Sequence, residues 1–432
     1  MVLPMFLPRR RLILATTLST LVLAACGGGG SSAPAPSNVT VVGGDTQAFI
    51  NWTAEAGVEY WLWFKAGTTV SPGEKTASYR LKVSPPYVLT GLTNGTEYAF
   101  SINARKNGGE GGPGSTPITA LVGAAGTAWH AGNALGSGQT LRGVTYGLSA
   151  SGASTYGYVA VGDGGALFRT PDTAEGRNYI STSPLTWIAP TGTLVSSSID
   201  LKGVVYASSL AKYVAVGSNG NAAYSSDVNN WTTVTSAGTG TTQTLNAVAT
   251  NGGTVVAVGD NGALRYSNDG ITWSATTVTP AVTANLRGVA YSTKGLWVAV
   301  GSGGTVLTST DAVNWTATTQ TGDLTAVATV ATTTDGVTTY TFVAVGADGT
   351  VLTSTDGSTW SSTVLSASLY TVSAASRLVA LGSNGNIFTR ELTGTTWTAQ
   401  TSPIAGSTLY GLVNAQSVFT AVGGSSASIY AY

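Results

Sequence analysis

The stretch LRGVAYSTKGLWVAVGSGGTVLTSTDAVNW, residues 286–315, decides the fold. It opens on Leu286-Arg287-Gly288-Val289, reaches an apolar Val298-Ala299-Val300-Gly301 run, turns at Gly303-Gly304 and ends Ser309-x-Asp311-x-x-x-Trp315. Short β-branched runs bounded by glycine pairs are strands joined by tight turns. The pattern recurs, with openings at Leu141, Leu201, Leu245, Leu286, Leu324, Leu369 and Leu409 and closing tryptophans at Trp187, Trp231, Trp273, Trp315, Trp360 and Trp397. A repeat of roughly 40 residues implies units that bury their apolar faces only against their neighbours. The seventh unit reaches Tyr432 without a closing Trp, and the missing piece lies at the other end, where Gly126-Thr127-Ala128-Trp129 matches Gly394-Thr395-Thr396-Trp397. The expectation is a seven-bladed β-propeller over residues 127–432 whose last blade is closed by the Trp129 strand, which removes the open edge of a linear stack.

Upstream, Arg9, Arg10 and Arg11 precede an apolar run from Leu12 to Ala25. That run is shorter than the roughly 20 residues a membrane span needs, and residues 1–25 read as a secretory signal. Leu23-Ala24-Ala25-Cys26 resembles the lipobox of bacterial lipoproteins, which implies lipidation at Cys26 and a membrane anchor there. By the same resemblance, Gly27 rather than Asp after the cysteine implies sorting to the outer membrane of the cell envelope, facing the periplasm or the surface. Cys26 is the only cysteine, so disulfides and thiolate metal clusters are excluded. Residues 26–37, including GGGGSSAPAPS, read as a Gly/Ser/Pro tether.

Residues 38–122 carry aromatic and β-branched runs separated by Gly, Pro and Asn, and read as a β-sandwich. Val88 to Tyr98 (VLTGLTNGTEY) resembles the fibronectin type III pattern, in which a Leu enters the core, Asn-Gly turns the chain and a tyrosine ties its hydroxyl back to nearby backbone. Trp52 takes the place of the buried tryptophan in that resemblance. The whole chain is therefore expected to be all-β, a fibronectin type III sandwich followed by the propeller.

The turns ahead of each closing Trp resemble the Asp-box of sialidases (BNR-like repeats) and of photosystem II assembly factor-like propellers. Asp172, Asp227, Asp269, Asp311 and Asp356 occupy the acid position, and blade six has lost it around Glu391. Their carboxylates are expected to accept backbone N–H groups within their own turns, with Trp129, Trp187, Trp231, Trp273, Trp315, Trp360 and Trp397 filling the gaps between blades. These are fold staples, and no residue is assigned a catalytic role. Asp163 and Asp260 share a repeat position directly after the second strand's Gly, where Asp-Gly-Gly and Asp-Asn-Gly suggest turn formation.

The residue after each opening Leu varies: Arg142, Lys202, Asn246, Arg287, Thr325, Tyr370 and Tyr410. Sevenfold geometry places these around the channel as a polar, partly basic ring, with Arg142, Lys202, Asn246, Arg287, Tyr370 and Tyr410 the candidate binding residues. With 19 basic and 19 acidic residues, and 16 against 19 once the signal is removed, the mature chain lacks the basic surplus of a nucleic-acid binder. His130 is the only histidine, so metal sites built on His or Cys are excluded by count, and no cofactor is implied. Three functions remain: an anchored binding or scaffold lipoprotein engaging a protein or glycan through a propeller face, an assembly or quality-control factor for an envelope complex, and a glycan-active hydrolase of sialidase-like architecture. The last is opposed by the thin supply of acids.

Overall fold

A computed structural model describes residues 30–133, 138–148, 156–171, 186–415 and 418–431. The signal segment, Cys26 and Asp172 lie outside the described residues. The protein is all-β, a fibronectin type III sandwich followed by a seven-bladed propeller.

In the sandwich, one sheet pairs Thr40–Gly44 with Gln47–Asn51 and Tyr87–Thr90. The other centres on Val58–Ala66 against Thr96–Lys106. Between them lie Trp52, Tyr60, Leu62, Leu89, Phe100 and Ile102. Trp52 packs edge-on to Tyr60 at 5.5 Å, and the Tyr98 hydroxyl accepts the Thr93 N–H at 3.2 Å. Ser31–Ala33, expected within the tether, instead forms a strand: Ser31 pairs with Lys106 and Ala33, 3% exposed, with Ala104. Small residues that look like linker by composition fit here because the free edge of Thr96–Lys106 offers backbone partners and Ala33 fits under the core without needing bulk.

Among the described residues the propeller forms seven sheets. Blade four shows the plan: Leu286–Ser292, Leu296–Gly301, Thr305–Ser309 and Asn314–Thr319 run antiparallel from axis to rim. Among the described residues of blade one, the outermost pairing is a bridge between Arg169 and Ile188, next to Trp187. Blade seven joins Leu409–Ala415, Val418–Gly423 and Ser428–Ala431 to Trp129–Ala131, with Ala431 opposite Trp129. Each innermost strand touches the next, and that of blade seven touches that of blade one, so the ring is closed.

Seven apolar clusters among the described residues fill the seven gaps between blades. In each, the closing Trp of one blade lies on the second strand of a neighbour: Trp315 with Val256 and Val258, Trp129 with Val379 and Leu381. The Val-Ala-Val-Gly run is apolar throughout because both of its faces meet such a gap, the pattern expected of doubly covered strands.

The sandwich rests on the propeller. In Gln47–Asn51, Ala48 and Ile50 face the sandwich core, so strand alternation turns Phe49 outward. Phe49 is nevertheless 3% exposed, because it joins the cluster between blades seven and one with Tyr158, Val418 and Tyr430, flanked by Val42 and Val88. Ser376, in the first hairpin turn of blade six, donates to Asp45. This contact lies at the first-hairpin end of the blades, opposite the end where the innermost strands begin.

Candidate functional site

Every innermost strand begins with the same irregularity. Leu286 pairs with Gly301 and Gly288 with Val300, leaving Arg287 as a bulge; all seven blades repeat this. A bulge drops one residue out of the ladder and re-aims its side chain. The opening Leu stays fully buried between blades while the next residue turns to the axis. The third position is Gly or Ala in six blades and Thr371 in blade six, because neighbouring innermost strands come close: a Cβ on Gly288 would stand 2.8 Å from the Ala326 Cα, and one on Gly143 3.0 Å from the Gly203 Cα.

The bulges bring Arg142, Lys202, Asn246, Arg287, Thr325, Tyr370 and Tyr410 together around one cavity of about 450 Å³. The partly basic character expected of the ring is offset, because each cation meets a carboxylate. Arg142 forks onto Asp163 (Nη2 to Oδ2 2.7 Å, Nε to Oδ1 3.1 Å). Lys202 Nζ reaches Asp163 Oδ1 at 2.9 Å and Asp200 Oδ2 at 3.3 Å, while Arg287 pairs with Asp323 at 2.8 Å. Burial pushes the Asp163 carboxyl up, but hydrogen bonds from Arg142 and Lys202 outweigh it and hold it below its ordinary value. Asn246 Nδ2 donates to Asp260 Oδ1 at 2.8 Å and to the Leu286 carbonyl at 3.0 Å. Thr325 donates to the Leu369 carbonyl at 2.8 Å. The remaining wall is aromatic: Tyr370 and Tyr410 lie 5.4 Å apart, and the Arg142 guanidinium sits 4.5 Å over the Tyr410 ring.

Asp200 and Asp323 were missed by reading position two alone. Their signal is adjacency: each immediately precedes an opening Leu, one step from the ring. Asp163 and Asp260 sit in a single 3₁₀ turn after the second strand, which other blades build with Ser218, Ser302, Ser383 or Gly424 at the same place. The conserved demand of that turn is the next residue, at positive φ, supplied by Gly164, Asn219, Asn261, Gly303, Asn384 and Ser425. Turn formation therefore does not account for an aspartate, and both carboxylates meet ring side chains, Asp163 two cations and Asp260 the Asn246 amide.

The Ser-x-Asp turns lie at the opposite end of the blades. Asp311 Oδ1 accepts the N–H groups of Val313 and Asn314 at 2.8 and 2.7 Å and the Ser309 hydroxyl at 3.0 Å. Asp227, Asp269 and Asp356 make the same set. Trp231, Trp315 and Trp360 each donate an indole N–H to the carbonyl three residues back. In blade six the register puts Arg390 where Ser354 stands in blade five, since Arg390 pairs with Leu378 as Ser354 does with Phe342. Arg390 is 8% exposed and its guanidinium lies 5.3 Å from the centre of the Trp397 ring, while Glu391 pairs with Arg377. No three His, Cys, Asp or Glu side chains among the described residues converge in a way that could hold a metal.

Two family comparisons agree with this architecture. Residues 34–120 match the fibronectin type III domain, and residues 181–326 match the family described as DUF6242 beta propeller domain. No curated protein shows significant sequence similarity to the chain. Among solved structures, the chain is similar in fold to YCF48 bound to D1 peptide, at 17% identity and a TM-score of 0.53 over 70% of this chain and 94% of that one. It is also similar to the WD40 beta propeller domain of Doa1, at 11% identity and 0.52 over 71% and 97%.

Proposed function

We propose that this protein is a binding and scaffold lipoprotein of the bacterial cell envelope, carried at the outer membrane on a lipid at Cys26, and that it engages a protein through the axial face of its propeller. The observation that carries this is the cavity itself. It gathers the side chains that differ from blade to blade, and it opens at the end of the blades away from the sandwich. A fold supplies such a surface without catalytic groups. Here the carboxylates are largely engaged by cations, and Asp163 is held ionised, which suits recognition better than acid catalysis of glycan cleavage. We read the Ser-x-Asp turns as Asp-boxes that staple the blades.

A second reading, an assembly factor for an envelope complex, draws support from the peptide complex of YCF48, a propeller of the same fold. A photocrosslinker at Tyr370 in the native envelope tests both. The expected result is a discrete protein adduct that is missing when the crosslinker sits at Val337, an exposed residue of the opposite end. An adduct containing one stoichiometric membrane complex favours the assembly role. Absence of any adduct from the ring would overturn the binding reading, and labelled palmitate incorporated equally by Cys26→Ala would overturn the anchor.

A further inference from the structure

The charges at the cavity do not balance. Arg142, Lys202 and Arg287 face Asp163, Asp200, Asp260 and Asp323, and the ion pairs consume every cation. Among the described residues no cation lies within 4.0 Å of Asp260; its Oδ1 takes one amide hydrogen bond from Asn246. Asp260 lines the cavity and is half-buried, so its negative charge is partly desolvated without a counter-ion, an arrangement that favours a cation arriving from outside. Nor is Asp260 there for the turn, which Ser218 and Ser302 build equally well.

Across the axis, three blades away, stand Tyr370 and Tyr410. The Tyr410 ring already carries the Arg142 guanidinium on its face, which shows that this wall accepts a cationic group. Below the ring, the third and fourth residues of each innermost strand line a further space of about 200 Å³, into which a side chain entering past the ring can extend.

We propose that the cavity receives an arginine or lysine side chain presented by a partner polypeptide, with Asp260 taking its charge and Tyr370 its stem. This rests on the binding-module reading and names the chemistry that the module recognises. A neutral glycan would leave the Asp260 charge uncompensated, so a cationic peptide is the better fit.

The test is a titration of the full mature chain with acetylated, amidated pentapeptides Gly-Gly-X-Gly-Gly, where X is Arg, Lys, norleucine or Glu. The Arg and Lys peptides are expected to bind, norleucine about tenfold more weakly or worse, and Glu not at all. Asp260→Asn and Asp260→Ser are expected to weaken the Arg peptide by about tenfold or more. Unchanged melting of both variants would show that the fold is intact. Raising salt should weaken the Arg peptide and spare norleucine. Norleucine binding as well as Arg, or Asp260→Asn binding Arg as well as the parent, would overturn the proposal. The crosslinking at Tyr370 keeps the two readings apart. An adduct formed equally by Asp260→Asn leaves the binding module standing and removes the cationic ligand. Absence of any adduct removes the module, while the titration still judges Asp260.

Discussion

The two ends of the propeller are made from the same strands yet repeat to different degrees. At the end nearer the sandwich, four Ser-x-Asp turns make the same hydrogen bonds in blades two to five, while Thr170, Arg390 and Ala431 stand at the serine's place in blades one, six and seven. At the other end the backbone repeats its bulge in all seven blades, while the bulged side chain is Arg, Lys, Asn, Arg, Thr, Tyr and Tyr in turn. Repeated backbone with repeated side chains answers a folding requirement that those four blades share. Repeated backbone with unrepeated side chains is a frame for one asymmetric ligand.

That contrast can be broken at several points. The largest effect is expected from deleting residues 420–432, which removes Ser428–Ala431 and strands Trp129–Ala131 without a partner; the propeller should lose its cooperative transition, and a sharp near-normal melt would refute ring closure. Next is Trp315→Ala, which empties the gap between blades three and four and should cost about 3–5 kcal/mol by denaturant titration, with the Arg-peptide affinity intact in the folded fraction. Phe49→Asp should free the sandwich from the propeller, raising the radius of gyration in small-angle scattering while leaving peptide binding unaltered, because the contact and the cavity lie at opposite ends.

The smallest effect is electrostatic. The N–H groups of Asn314 and Val313 hold the Asp311 carboxyl well below its ordinary range. A group depressed in the folded state contributes stability above its unfolded value of roughly 4 and loses it as pH falls through the folded value. Asp311→Asn should therefore melt lower than the parent at neutral pH, with the gap narrowing under acid. A gap that stays constant down to about pH 2 would show that the carboxylate's charge is not what the turn uses.

The propeller is legible in the sequence because each structural demand is local and recurs. The opening Leu, the apolar run, the turn residue at positive φ and the closing Trp stand at fixed offsets. The ring was legible for the same reason. Its counter-charges were less so, since Asp163, Asp200 and Asp323 come from turns and connections whose approach depends on a bulge that leaves no mark of its own in composition. Ser31–Ala33 reads as tether in the sequence because its pairing is decided by an edge more than 70 positions away. Phe49 shows a signal that was available: an aromatic on the outward face of a strand, between two buried residues, asks for a cover.

The seam of blade seven also sets an order in time. Trp129–Ala131 is synthesised before any complete blade, and Ser428–Ala431, about 300 positions later, only after the other six. Until both have arrived the ring is an open arc with a bare edge at each end, and contacts so distant in sequence are slow to form. A chain interrupted anywhere in the repeats therefore keeps those edges, which makes the seam a built-in check that only a finished ring passes.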